Sequence, residues 1–193
     1  MPTPSPLILA SGSPYRRTLL ERLGLPFEVV AAEIDEAVAE AEAPEAAAVR
    51  LAQDKAAAVA AAYPQATVIG SDQLVALGTE ILGKPGTAER ARAQLARYAG
   101  REVRFLTAVS VRRGEAEVHE LQTVRARFRA LDDEAIERYV AADRPLDCAG
   151  AIRSEGLGAS LLESVDSSDP AALVGLPLIT VARLLRRLGY RLP

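Results

Sequence analysis

The residues of this sequence that can do chemistry come in short, separated clusters. Ser11, Ser13, Arg16 and Arg17 lie within ASGSPYRR. Glu33, Asp35 and Glu36 follow in EIDEA, and Lys55 stands inside an alanine-rich run. Ser71, Asp72 and Gln73 come directly after TVIG, Lys84 lies in LGKP, and Arg153, Ser154 and Glu155 sit in a late glycine-containing stretch. Hydroxyls and cations grip phosphate, arginine in a bidentate manner. Carboxylates are hard oxygen donors suited to a divalent metal. The combination points to a metal-dependent reaction on a polyphosphate. Each residue also has a plainer reading. Arg17 can pair with Glu21 one turn on, for only ~0.3–0.5 kcal/mol. Asp72 can cap a turn, Lys84 can be a turn lysine, and EIDEA can be an exposed acidic loop.

The elements that position these clusters are legible in outline. PLILA (6–10) reads as a buried strand running into the SGS loop. Ser13 is a helix N-cap and Pro14 suits the first helical position, so a helix spans 14–24 and stops at Gly24. Arg16 occupies the third helical position, where a capping box would place Glu or Gln. A helix start already carries unpaired N–H groups and partial positive charge, so two further arginines there call for an anion.

FEVVAA (27–32) reads as a second strand, followed by the acidic loop. Residues 44–63 form an alanine-rich helix that begins at Pro44 and ends before Pro64. TVIG (67–70) is a strand, with QLVAL (73–77) a possible extended continuation and LGTE a turn. A helix over 87–100 closes at Gly100. Two long strands, 102–113 and 118–130, flank GEAE, and the second alternates Val124, Ala126 and Phe128 against Arg125, Arg127 and Arg129. That arginine stripe is read as the solvated side of an edge strand, with a nucleic-acid face as the alternative. A helix over 132–142, a loop over 144–158, a strand at 160–165, a turn or short helix in SSDPAALVG and a final helix over 176–190 complete the chain. The pattern is α/β with a mixed sheet, arranged as two lobes around a cleft. In open α/β sheets ligands bind beyond the carboxyl ends of strands, where several of the clusters would meet.

Composition narrows the classes. The chain has 193 residues, so one domain is expected, and 49% hydrophobic content suffices for a core. The net charge of −3 argues against a protein that coats nucleic acid. A single cysteine, Cys148, forms no internal disulfide and suits a reducing compartment. No signal segment or long apolar run is evident, and a cytoplasmic, membrane-free protein is expected. The lone His119 leaves little for a His-based triad or zinc site, and Cys148 lacks an evident base. No P-loop is present, and no G-x-G-x-x-G follows a strand.

Taken together, LILASGSPYRRTLLERLG, EIDEA, RLAQDKA, VIGSDQ, GKP, CAGAIRSEGLG and DPAALVGLPL resemble the Maf-like nucleotide pyrophosphatases, nearly end to end. The Asp-Gln pair and the SEG loop are similar to the subgroup that hydrolyses 7-methyl-GTP; pyrimidine-directed branches typically carry Asp-Thr, and an arginine-type residue where Tyr15 stands. The resemblance implies an elongated α/β fold with a central cleft, akin to the inosine triphosphatase fold. It implies hydrolysis of 7-methyl-GTP to 7-methyl-GMP and pyrophosphate, with Mg²⁺ or Mn²⁺. It makes Asp72 the proton acceptor that activates water. Tyr15, Gln73 and Glu155 become specificity residues. Arg16, Arg17, Lys55 and Lys84 contact phosphates, helped by Ser11 and Ser13. Glu33 and Asp72 hold metal, with Glu36 a further candidate. A homodimer is a possible state. The alternatives are a pyrophosphatase for dTTP or UTP, a nucleotide-binding cell-division regulator without catalysis, and an RNA-binding module.

Overall fold

The computed structural model describes residues 5–193. In chain order the elements are β1 (Leu7–Ala10), α1 (Pro14–Glu21), β2 (Glu28–Val29), α2 (Pro44–Ala62), β3 (Thr67–Leu77), β4 (Glu80–Leu82), α3 (Ala88–Tyr98), β5 (Glu102–Arg113), β6 (Ala116–Phe128), α4 (Asp133–Asp143), β7 (Leu162–Asp166) and α5 (Leu178–Arg187). The strands form a seven-stranded sheet in the order β2-β1-β3-β5-β6-β7, with β4 paired to β3. β1 is parallel to β2 and β3, while β3–β4 and β6–β7 are antiparallel. The fold is therefore α/β with a mixed sheet, as expected.

The chain divides into two compact units. Among the described residues the first comprises 5–72, Thr107–Gln122 and Asp169–Pro193; the second comprises Gln73–Leu106 and Thr123–Ser168. In the first unit, strand alternation sorts β1 onto two cores. Leu7 and Leu9 join Leu19 and Leu20 of α1, Ile69 of β3, and Val181, Leu184 and Leu185 of α5. Ile8 and Ala10 face the other way, against Ala56 and Val59 of α2 and Val68 of β3. In the second unit α3 packs on α4, and the rings of Tyr98 and Phe128 meet at 5.1 Å.

Three elements differ from the sequence reading. β2 is only two residues long and pairs with β1 at Ile8 and Leu9 alone. β4 (Glu80–Leu82), directly after the LGTE turn, is a strand the reading lacked, whereas β3 does run on through Ser71, Asp72 and Gln73 into QLVAL. β6 is not an edge strand, because β7 pairs with it. The arginine stripe consequently meets acids: Arg125 lies 3.5 Å from Asp166 and Arg127 3.6 Å from Glu163. Arg129 donates instead to the backbone carbonyls of Ser160 and Ala130. The alternation itself is as read, with Val124, Ala126 and Phe128 fully buried.

Candidate active site

The start of α1, the middle of α2 and one strand position the charged groups of the first unit. Ser13 caps α1 by accepting from the Arg16 backbone N–H, and Pro14 fills the first helical position. On α2, Lys55 sits in the buried stripe of Ala47, Ala48, Leu51, Ala52, Ala56 and Val59, where 3.6-residue periodicity would otherwise place another apolar side chain. Gly70 lets β3 pass close beneath this helix. A Cβ there would lie 2.2 Å from the Ala52 carbonyl oxygen and 2.6 Å from the Ala56 nitrogen. That close approach brings Asp72, two residues on and on the same face of the strand, to Lys55.

Lys55 Nζ donates to Asp72 Oδ1 at 2.6 Å, and both side chains are 9% exposed. Glu36 Oε1, from the acidic loop, reaches the same ammonium at 2.7 Å. The turn reading of Asp72 is therefore displaced: it is a buried mid-strand carboxylate paired with a cation that it shares with Glu36. The loop is held by Arg50, whose Nε and Nη2 each donate to Glu42 at 2.8 Å while Nη2 also reaches the Ala37 carbonyl at 3.0 Å. This hydrogen-bonded clamp, before the weaker coulombic attraction, holds the Glu42 carboxyl below its ordinary range.

Arg16 turns inward. Its Nε donates to the Gly175 carbonyl at 2.9 Å, and its Nη1 donates to the Ser71 carbonyl at 2.8 Å and to Ser11 Oγ at 3.3 Å. Burial lowers its pKa, opposed by Asp72 and Glu36, and the guanidinium stays charged. Ser71 Oγ donates to the carbonyls of Ala108 and Gly175. The DPAALVG motif thus acts through the Asp169 side chain at one end and the Gly175 backbone at the other. Asp169 is buried and accepts from the Thr180 N–H at the start of α5, and Gly175, at φ 119, offers its carbonyl to Arg16 and Ser71. Only glycine adopts that φ without strain.

The remaining predicted residues are placed differently. Arg17 is exposed, pairs with Glu21 at 3.1 Å, and lines an open depression with Leu25, Pro26, Phe27 and Val29 rather than joining Arg16. Ser11 is buried beside Arg16, Ser13 is spent on its cap, and Tyr15 is half-buried on the first turn of α1. Glu33 and Glu36 are both exposed, and Glu36 is the loop carboxylate that reaches Lys55. In the second unit Gln73 is half-buried on β3, and Lys84 and Glu155 are exposed in loops. Of the residues set aside earlier, His119 is exposed with Gln53 Nε2 at 3.3 Å from its Nδ1, and Cys148 is half-buried and forms no disulfide among the described residues.

Among the described residues no three His, Cys, Asp or Glu side chains form a group that could hold a metal by themselves. Two carboxylates nevertheless converge on one cation at Lys55. Mg²⁺ usually takes one or two protein carboxylates and completes its shell with phosphate and water. Asp72 and Glu36 fit such an ion.

A family model described as Maf-like protein matches residues 6–188. The chain belongs to the Maf-like family. Curated relatives of this Maf-like chain match it over nearly its whole length. One from Xanthomonas axonopodis pv. citri is 54% identical over 187 residues, covering 97% of this chain and 98% of its own. Another from Polaromonas sp. is 52% identical over 193 residues, covering 99% and 88%, and one from Ralstonia nicotianae is 52% identical over 189 residues, covering 97% of each. All three are named 7-methyl-GTP pyrophosphatase. No helix among the described residues is long and apolar enough to cross a membrane.

Proposed function

We propose that this Maf-like chain hydrolyses 7-methyl-GTP to 7-methyl-GMP and pyrophosphate. The observation that carries the reading is the buried Asp72, bonded through Oδ1 to Lys55, within a chain whose full-length relatives bear that activity in their names. The Lys55 bond fixes the carboxylate and leaves Oδ2 to accept a proton from water. That water attacks the α-phosphorus, the α–β anhydride bond breaks, and its electron pair leaves with pyrophosphate. General-base assistance of this kind typically contributes ~10²–10⁴-fold. Arg16, Ser11, Lys55 and Lys84 supply cations and a hydroxyl for the phosphate oxygens, with Ser13 and Arg17 in peripheral roles. Arg16 is also a strut, which limits it to one free edge of its guanidinium.

Asp72 and Glu36, with Glu33 in the same loop, would hold Mg²⁺ or Mn²⁺. When bound, that ion neutralises charge on the phosphates and on the departing pyrophosphate. For the base, N7-methylguanine is cationic, and Tyr15 offers an aromatic face worth roughly 0.5–2 kcal/mol. An arginine at that position would repel the methylated ring, so Tyr15 selects partly by what it omits. Glu155 accepts from the guanine N1 and N2 donors and opposes the ring charge, and Gln73 offers both a donor and an acceptor. A cytoplasmic location, removal of modified nucleotides and a homodimeric state complete the reading.

The test is a panel of 7-methyl-GTP, GTP, UTP and dTTP with Mg²⁺ or Mn²⁺, scored for both monophosphate and pyrophosphate. Release of pyrophosphate chiefly from 7-methyl-GTP is expected. Preference for a pyrimidine nucleotide would keep Asp72 and discard the roles of Tyr15 and Glu155. Binding without turnover would favour a non-catalytic regulator.

A further inference from the structure

Glu155 carries a specificity role in the proposed function, yet it is an exposed residue in a loop. An exposed carboxylate discriminates between bases only if its backbone is held in place. The loop contains its own fastening. The Arg153 carbonyl accepts from the N–H groups of both Gly156 and Gly158, each at 3.1 Å. Neither glycine can be replaced freely. A Cβ on Gly158 would lie 2.4 Å from that carbonyl oxygen, and one on Gly156 would meet both Asp143 carboxylate oxygens at 3.2 Å. Just upstream, Gly150 and Ala151 both take left-handed conformations, with φ 70 and 54. A non-glycine residue persists there only when its surroundings dictate it.

The anchor for this folded loop is the last turn of α4. Tyr139 is 4% exposed, and its hydroxyl accepts from the Arg153 backbone N–H at 2.8 Å. One turn on, Asp143 accepts from Arg153 Nη1 at 3.4 Å. Burial first, and then the Asp143 carboxylate, raise the phenol above its ordinary range against the lowering effect of the Arg153 N–H, so it remains a neutral hydroxyl. Tyr139 and Asp143 therefore hold Arg153 by its backbone and its side chain at once.

We propose that Tyr139 and Asp143 are positioning residues for base selection: through Arg153 they set the place of Glu155, which touches the substrate. The inference rests on the reading of Glu155 as a base-recognising carboxylate. Tyr139→Phe keeps the buried ring and removes only the hydroxyl. Loss of the hydroxyl's bonds to the Arg153 N–H and to the Asp143 carboxylate is expected to change a local equilibrium by about fivefold or more. Two readouts follow. Amide hydrogen exchange across 153–158, measured without nucleotide, should quicken by about that factor while the melting temperature changes little. The ratio of kcat/KM for 7-methyl-GTP over GTP should fall, through a higher KM with kcat nearly kept. Asp143→Asn serves as a second variant should Tyr139→Phe fold poorly, with the same two expectations.

Unchanged exchange in both variants would overturn the brace. Faster exchange with an unchanged ratio, when Glu155→Gln lowers that ratio, would overturn its role in selection and leave the proposed function standing. If the unaltered protein does not prefer 7-methyl-GTP, or Glu155→Gln leaves the ratio as it was, the base-recognition reading fails and the positioning role falls with it.

Discussion

Residues 33–42 in the first unit and 153–158 in the second each carry a glutamate with an assigned role, Glu36 and Glu155, and the two segments are fastened by different forces. The acidic loop is held by charge: Arg50 grips Glu42 and the Ala37 carbonyl, and Lys55 takes Glu36. The later loop is held mainly by backbone bonds, from Gly156 and Gly158 to the Arg153 carbonyl and from the Arg153 N–H to Tyr139. A charge-held loop can be rearranged by an incoming anion or cation. A loop held mainly by backbone bonds, with the Arg153–Asp143 pair as a charged brace, is less sensitive to the ionic state around it. The first suits a group that must respond to phosphate and metal, and the second suits a group that must measure a base.

The largest expected effect tests what the charged cluster is for. Asp72→Asn preserves size and a hydrogen-bond acceptor for Lys55 but removes the base. Turnover should fall by ~10²–10⁴-fold, with nucleotide binding largely spared in a direct titration. Near-normal turnover would remove Asp72 from the mechanism and reduce the cluster to a structural ion pair. Exchange across 153–158 should be unaltered, since none of its fastening bonds involves this carboxylate.

Lys55→Met comes next. It leaves Asp72 buried without its cation, and breaking such a pair from one side costs roughly 3–5 kcal/mol. Denaturant unfolding should register that loss, and exchange in the acidic loop should rise because Glu36 has lost its ammonium. Destabilisation without any change in the acidic loop would mean that Arg50 alone holds it, and would weaken the contrast.

Some of this was readable in the sequence, and some was not, for physical reasons. The α1 start followed from Ser13 and Pro14, since capping is a local interaction. A lysine in the apolar stripe of an alanine-rich helix was also a local signal. The run of β3 on into QLVAL was legible, but the partners that let Ser71 and Asp72 be buried within it were not, because they lie on α2 and in the loop before α5. The same holds for the arginine stripe, whose partners Glu163 and Asp166 lie on a strand distant in sequence. Glu33 and Glu36 could not be ranked by spacing within an irregular loop. Tyr139 and Asp143 look like any residues at the end of an amphipathic helix, and only the bonds to Arg153 single them out.

The smallest effect is a dependence on acid, and it sharpens the contrast without touching a catalytic group. The Arg50 hydrogen bonds hold the Glu42 carboxyl below its ordinary value of 4.5. A carboxyl lowered on folding adds stability that is present above that ordinary value and is lost as pH falls through the lower folded value. The acidic loop should therefore loosen below about pH 4.5, as followed by exchange or by the Glu42 side-chain resonance. Glu42→Gln should abolish that step and leave the loop already loose at neutral pH. Over the same range the bond from the Arg153 N–H to Tyr139 should persist, because neither a peptide N–H nor a phenol, whose pKa burial raises further, changes protonation in acid. If both segments loosened together on acidification, the loss would be of the whole fold. Loosening of residues 33–42 alone would mark charge as what holds one loop and backbone bonds as what holds the other.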